Sequence, residues 1–382
     1  MGAGNLIGDN LKNHSHLQNV PVLMLVRALG LGGTERQLTE LAKHLDPLRF
    51  RAHVGCFHSD GMRGDELRQA GVPVVRFPVR SFASPSAVYG AFALRKYLQK
   101  NRIRVVHAFD VPMNLFAVPA ARFFGTEVVV ASQRAYRDLV GPAYRLLLSL
   151  CDRLAATTIV NCRAIEEHLV NDYHVRRDKI QLCYNGIDIA EFSPDGRSRR
   201  NPIVIGGVYA LRPEKSIETL IDAFALVRAG RPQIRLHITG SGSAEKSLRE
   251  RIAALGIGES VLLNPACADV ARRMREIDIF VLPSVSEALS NSLMEAMASG
   301  CAVTASCVGG NPELVAEGET GLLFKPGDVA GLARNLERLV DDEKLRERLA
   351  AQGTEFIRTR FSIPAAAARM EEIYTALVAK SG

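Results

Sequence analysis

The sequence predicts an α/β protein of two doubly wound, parallel-sheet domains facing each other across a cleft. Three observations carry this. At 382 residues the chain exceeds one ordinary core and suits two domains. Short apolar runs alternate with amphipathic segments, the pattern of a parallel sheet covered on both faces. That alternation breaks at Phe192–Pro202, where turn formers and charge cluster, and then starts again. Hydrophobic residues make up 47% and charged residues 23%, which excludes disordered, collagenous and coiled-coil chains.

In the first half, strands are predicted at Pro21–Val26, Ala52–Phe57, Val72–Phe77, Ile103–Ala108, Val128–Ala131, Thr157–Val160 and Lys179–Cys183. Helices fall between most of them, at Thr34–Leu45, Met62–Ala70, Ala87–Lys100, Ala143–Leu154 and Arg163–Asn171. In the first helix Leu38, Leu41, Ala42 and Leu45 share one face. The second half repeats the scheme, with strands at Ile203–Val208, Arg235–Thr239, Ser260–Leu263, Ile279–Leu282 and Ala302–Ala305. Its helices are expected at Ile217–Arg228, Ala244–Leu255, Ala271–Glu276 and Ser292–Ser299, and three more follow Asp328. The expected division is 18–192 and 203–362, with a linker at 193–202 and a terminal helical segment at 363–382.

Charge is unevenly placed. The whole chain carries a formal +7, of which +6 lies in residues 1–195. Between Leu67 and Phe109 there is no acidic residue and there are eight Lys or Arg. Such a surface attracts anions: nucleic acid, an anionic leaflet or phosphorylated substrates. No nucleic-acid-binding motif accompanies it, so nucleic acid is the weakest of these. The segment Tyr136–Leu154 pairs an apolar stripe, Tyr144, Leu147, Leu148 and Cys151, with nearby arginines. It reads either as a helix packed on the sheet or as a contact for an anionic membrane or polyprenyl diphosphate. The seven cysteines form no C-x-x-C pair and suit a reducing compartment. Residues 2–19 lack the apolar centre of a secretory signal, Leu6 spoils a myristoylation pattern, and no apolar run spans a bilayer. A cytoplasmic protein, peripheral at most on the inner face of the cytoplasmic membrane, is expected.

Three motifs allow chemistry. Gly30-Leu31-Gly32-Gly33-Thr34-Glu35-Arg36 follows the first strand and opens a helix, where glycines and free N–H groups suit a phosphate. Glu35 stands where a dinucleotide fingerprint needs its third glycine. In the second motif, Glu287 precedes a helix beginning near Asn291, and Glu295 lies about one turn inside it. Ser290, Asn291 and Ser292 at that helix start are placed to hold a diphosphate, or simply to cap the helix. The third is Leu211-Arg212-Pro213-Glu214-Lys215, whose cations suit a leaving diphosphate or a plain surface helix start.

Together these segments resemble glycosyltransferase family 4. So do Tyr184-Asn185-Gly186-Ile187-Asp188, Gly240-Ser241-Gly242, Val308-Gly309-Gly310-Asn311-Pro312-Glu313 and the run Gly318–Gly327. The resemblance spans Val20 to the terminal helices in the family's order. It implies the GT-B fold of two Rossmann-like domains, retaining transfer from a nucleotide sugar, and no metal or other cofactor. It implies that Glu287 contacts the donor sugar, Glu295 the ribose and Lys215 the diphosphate. Gly32, Gly33 and Gly240 then belong to the donor site, and the last helix, about Pro364–Val378, returns to the first domain.

Three departures stand out. The family's phosphate arginine is here Ala210, and Arg212, two residues on, lies on the same face of an extended chain. The family's sugar-contacting histidine is replaced by Gln133 or Arg134, which join His107 and Asn185 as acceptor-side candidates. Ala288 and Ser216 replace glycines beside Glu287 and Lys215. The expected activity is a retaining, metal-independent glycosyltransferase of polysaccharide biosynthesis. Its partners would be a nucleotide sugar, and a growing glycan or polyprenyl-diphosphate-linked acceptor. A nucleotide-sugar 2-epimerase and a non-catalytic nucleotide-binding module are the alternatives.

Overall fold

The computed structural model describes residues 18–196 and 202–381. The chain forms two compact units, one running to Gly186 and resuming at Ile363, the other Ile187–Ser362. The division precedes the expected linker because Ile187 and Phe192, each 1% exposed, are anchored in the second unit. Ile187 N–H donates to Phe361 O at 2.7 Å. Residues 197–201 of the expected linker, and the N-terminal segment up to residue 17, lie outside the described residues.

In the first unit the strands are β1 (Val20–Ala28), β2 (Phe50–His58), β3 (Val74–Arg76), β4 (Val105–Ala108), β5 (Val128–Gln133), β6 (Thr157–Val160) and β7 (Ile180–Leu182). They form a sheet in the order β3-β2-β1-β4-β5-β6-β7, parallel at every pairing. Successive side chains of a strand point to opposite faces. Val22, Met24 and Val26 therefore enter one core, and Leu23 and Leu25 the other. Helix α1 (Gly33–His44) packs on the first face; α2 (Met62–Gln69) and α6 (Arg163–Tyr173) complete the crossovers. Three helices cover the second face: α3 (Pro85–Lys100), α4 (Val111–Phe123) and α5 (Pro142–Leu154). The sequence reading has no counterpart of α4. Pro112 and Pro119 interrupt it and most of its residues are apolar, so no amphipathic period marks it. Pro112 is tolerated in the first turn, and Asp110 caps the helix.

The second unit repeats the plan with β8 (Val204–Ala210), β9 (Arg235–Ser241), β10 (Val261–Asn264), β11 (Ile279–Leu282), β12 (Ala302–Ser306) and β13 (Leu322–Phe324). The order is β10-β9-β8-β11-β12-β13, again parallel. Its helices are α7 (Ile217–Gly230), α8 (Glu245–Ala254), α9 (Val270–Arg275), α10 (Asn291–Ala298), α11 (Asn311–Leu314), α12 (Val329–Asp341) and α13 (Glu343–Arg360). The last helix, α14 (Ile363–Ser381), belongs to the first unit. Its Ala367, Met370, Ile373, Tyr374 and Val378 enter the core beside α1, and Glu371 pairs with Arg49 at 2.9 Å. Two segments 322 residues apart in sequence thus complete one core.

Candidate functional site

In a doubly wound sheet, ligands bind beyond the carboxyl ends of the strands where the strand order reverses. In the second unit that point lies between β8 and β11. The loops leaving these two strands touch: Val285 N–H donates to Glu214 O at 2.9 Å. Lys215 is thereby brought onto Glu287, and its Nζ donates to Glu287 Oε1. Ser284 Oγ donates to the same oxygen at 2.8 Å. The Lys215 side chain is 20% exposed and that of Glu287 10%, so the pair is partly desolvated yet open to a ligand. Partial desolvation strengthens any charge interaction made there.

A third loop, after β12, holds this arrangement from behind. Gly310 N–H donates to Ala288 O at 2.7 Å. Gly309 has φ +52, and a Cβ there would lie 1.7 Å from Glu287 O. Only glycine lets the loop pass. Beside the pair, α10 begins with Ser290 as its cap, the side chain accepting from Leu293 N–H at 3.4 Å. Ser290 and Ser292 hydroxyls are 3.2 Å apart, and Asn291 and Ser292 are half-buried in the first turn. The helix dipole favours an anion at such a start.

The remaining donor-side candidates fall at varied depths. Tyr209 and Leu211 are buried while Ala210 and Arg212 are exposed, and Arg212 is extended at φ −122. Arg212 N–H donates to Ala210 O at 2.9 Å, a turn at Leu211 that ends the extended alternation, and its guanidinium is 3.9 Å from Glu214. Glu295 lies within α10 and is only 6% exposed. Gly240, buried at the end of β9, is required by packing: a Cβ there would lie 1.9 Å from Tyr209 O.

In the first unit the order reverses between β1 and β4. Gly32 caps α1 and Gly33 begins it, both exposed. The Glu35 carboxylate folds over that start, 2.1 Å from where a Gly32 Cβ would stand. Asp110, absent from the sequence-based candidates, sits at the reversal itself. Its carboxylate accepts from Arg27 N–H at 2.6 Å and Met113 N–H at 2.9 Å, tying β1 to the start of α4. Burial raises its pKa to about 6, with Glu35 adding to the rise and the two backbone bonds opposing it. An Asp two residues before a proline, ahead of an apolar run, is the capping signal that marks it.

Of the acceptor-side candidates, Arg134 and Asn185 come together, Arg134 Nη1 donating to Asn185 Oδ1 at 2.7 Å. The guanidinium also stands 5.0 Å from the Phe109 ring, and burial lowers its pKa to about 10. His107 and Gln133 lie in the core instead. His107 has no exposed surface, and its ring nitrogens bond Tyr374 OH and Ser132 Oγ, each at 2.7 Å. Burial, then the Arg134 charge, holds its pKa well below the usual histidine value. Gln133 is 2% exposed and accepts from Arg137 Nε at 3.2 Å. Arg137 in turn forms a buried pair with Asp152 at 2.7 Å.

Two family models match consecutive stretches of the chain: Glycosyltransferase Family 4 over residues 31–191 and Glycosyl transferases group 1 over 188–356. The chain belongs to the GT-B glycosyltransferases. A D-inositol 3-phosphate glycosyltransferase of Thermobispora bispora is 30% identical over 287 residues, 68% of this chain and 65% of that protein. The chain therefore spans somewhat under two thirds of that relative's length. Two solved GT-B structures share the fold across nearly all of both chains. Anabaena Alr3699/HepE in complex with UDP-glucose has a TM-score of 0.82 at 22% identity, covering 94% of this chain and 100% of that one. Sucrose-phosphate synthase of Thermosynechococcus elongatus has 0.82 at 19%, covering 95% and 100%. Within this glycosyltransferase fold, no described helix is long and apolar enough to cross a membrane.

Proposed function

We propose that this protein transfers a sugar, with retention of configuration, from a nucleotide-diphosphate donor to a hydroxyl acceptor. The observation that carries the reading is the set of Lys215, Glu287 and Ser284 at the strand reversal of the second unit, beside the capped start of α10. A donor diphosphate competes for Lys215, and the Glu287 carboxylate so released accepts hydrogen bonds from sugar hydroxyls. As the bond from the anomeric carbon to the diphosphate breaks, negative charge grows on the departing oxygen. Lys215, Arg212 and the N–H groups of α10 are the preorganised groups that stabilise it. The acceptor oxygen bonds to the face the diphosphate leaves and passes its proton to the β-phosphate oxygen. No metal ion is needed in this scheme.

The acceptor belongs to the first unit. Its +6 half-chain charge suits a phosphate-bearing acceptor, a lipid-linked or growing glycan of a cell-surface polysaccharide. The relatives named for D-inositol 3-phosphate support a phosphorylated acceptor, and the UDP-glucose complex of the Anabaena protein supports a nucleotide-sugar donor. A thermal-shift screen of nucleotide sugars tests the reading, since a ligand stabilises in proportion to the logarithm of its concentration over Kd. One nucleotide sugar is expected to raise Tm beyond its bare nucleotide. No shift with any nucleotide or nucleotide sugar would remove the donor site.

A further inference from the structure

Large apolar side chains are exposed in one part of the molecule far more than elsewhere. Of the eighteen such side chains exposed among the described residues, ten lie between Phe82 and Leu150. They concentrate on the outer faces of α3 and α5, which flank α4 in the layer covering one face of the first sheet. The apolar side of helix α5 is wider than the part the core covers, while Arg145, Ser149, Asp152 and Arg153 share its other side. Leu148 and Cys151 face the core, yet Leu146 is 73%, Leu147 48% and Leu150 49% exposed. An apolar helix face is ordinarily turned to the core, so this uncovered part lacks the covering its chemistry calls for. On α3 the exposed stripe runs Val88, Tyr89, Phe92 and then turns basic at Arg95, Lys96 and Lys100.

The two helices are joined at their N-terminal ends. Phe82, from the loop before α3, and Tyr144, in α5, line one open hollow of about 570 Å³ with Arg27 and Arg80. Charge on this layer has one sign. Neither α3 nor α4 contains an acidic residue, and the single acid of α5, Asp152, is buried against Arg137. The nearby Asp138 is paired with Arg145 at 3.4 Å.

We infer that this face docks on an anionic bilayer leaflet. Exposed leucine and aromatic side chains enter the acyl boundary while the flanking Lys and Arg meet anionic headgroups, the chemistry of an interfacial amphipathic surface. A soluble protein partner would be expected to present carboxylates to the cations and a groove to the leucines. Here Val88, Tyr89 and Phe92 on α3 and Leu146, Leu147 and Leu150 on α5 stand exposed, with Phe82 and Tyr144 in the hollow between them, a spread that suits a fluid apolar phase. The inference is independent of the transferase reading, because vesicle binding requires no donor.

Co-sedimentation of the full chain with vesicles tests it. Binding is expected to phosphatidylcholine–phosphatidylglycerol vesicles, weakening with added salt, and not to phosphatidylcholine alone. The combined change Leu146→Gln, Leu147→Gln and Leu150→Gln is expected to lower the partition coefficient at least tenfold with unchanged Tm. Lys96→Gln and Lys100→Gln should each lower it roughly fivefold on anionic vesicles. Three results would overturn the inference: no binding to anionic vesicles, equal binding by the leucine variant, or self-association in lipid-free sedimentation that the leucine variant abolishes.

Discussion

The two sheets reverse their strand order in the same way, but the groups at the two reversals are held differently. In the first unit the Asp110 carboxylate is bonded by two backbone N–H groups, so a ligand that took it would uncap α4 and untie β1. In the second, Glu287 is held by two side chains, Lys215 and Ser284, which can turn to a ligand without disturbing either strand. One topology thus supplies a fixed brace in the first case and an exchangeable pair in the second. Donor chemistry is expected at the exchangeable one.

The sharpest way to break this contrast is to remove Glu287. Glu287→Ala is expected to lower transfer, or slow donor hydrolysis, roughly a hundredfold or more, as when a preorganised polar group is lost from a transition state. Steady-state turnover of the donor found by the screen measures it, and near wild-type turnover would sink the assignment. Gly309→Ala should act almost as strongly without touching a charged group. Its Cβ cannot coexist with Glu287 O at 1.7 Å, so the loop carrying Glu287 must shift. Turnover should fall well before global unfolding is detected by circular dichroism; an active variant with an unmoved Tm would contradict the packing.

A subtler effect is expected from the brace. Asp110 has a pKa raised to about 6, so the folded state binds this proton more tightly than the unfolded one. Its contribution is fully present below the ordinary carboxylate range, near pH 4, and is lost as pH rises through about 6, a change of about 2–3 kcal/mol. Asparagine also caps helices well, so Asp110→Asn should fold and lose this part of the slope. Urea unfolding of both proteins at either end of the window gives the comparison, and an identical slope in the variant would count against the burial. Smallest of all, Arg212→Ala should weaken donor binding only a fewfold, because its guanidinium is largely exposed and screened by solvent.

Each half of the exchangeable pair was legible in sequence, through Arg-Pro-Glu-Lys and the two glutamates of 287–295. Their contact was not, because 72 residues separate them and only the placement of β11 beside β8 joins them. Ser284 was missed for the same reason, since a serine in a loop carries no pattern until its carboxylate partner is in place. The two parallel sheets and most elements followed from period and turn chemistry; the strand order did not. The exceptions were α4, whose apolar residues and prolines hide its period, the four-residue α11 and the three-residue β13. His107 sits on a strand expected from sequence, whereas β5 runs two residues past its expected end at Ala131 and takes Gln133 with it; both are core residues. A polar residue in a buried strand looks the same in sequence whether it faces a ligand or a Tyr374 hydroxyl from α14.

The most direct test of the exchangeable pair is calorimetric titration of wild type and Glu287→Ala with the nucleoside diphosphate and with its sugar conjugate. Freed of Glu287, Lys215 should bind the bare nucleoside diphosphate as tightly as before or more so, while the added affinity contributed by the sugar disappears. Equal loss for both ligands, or retained preference for the sugar conjugate, would contradict the account.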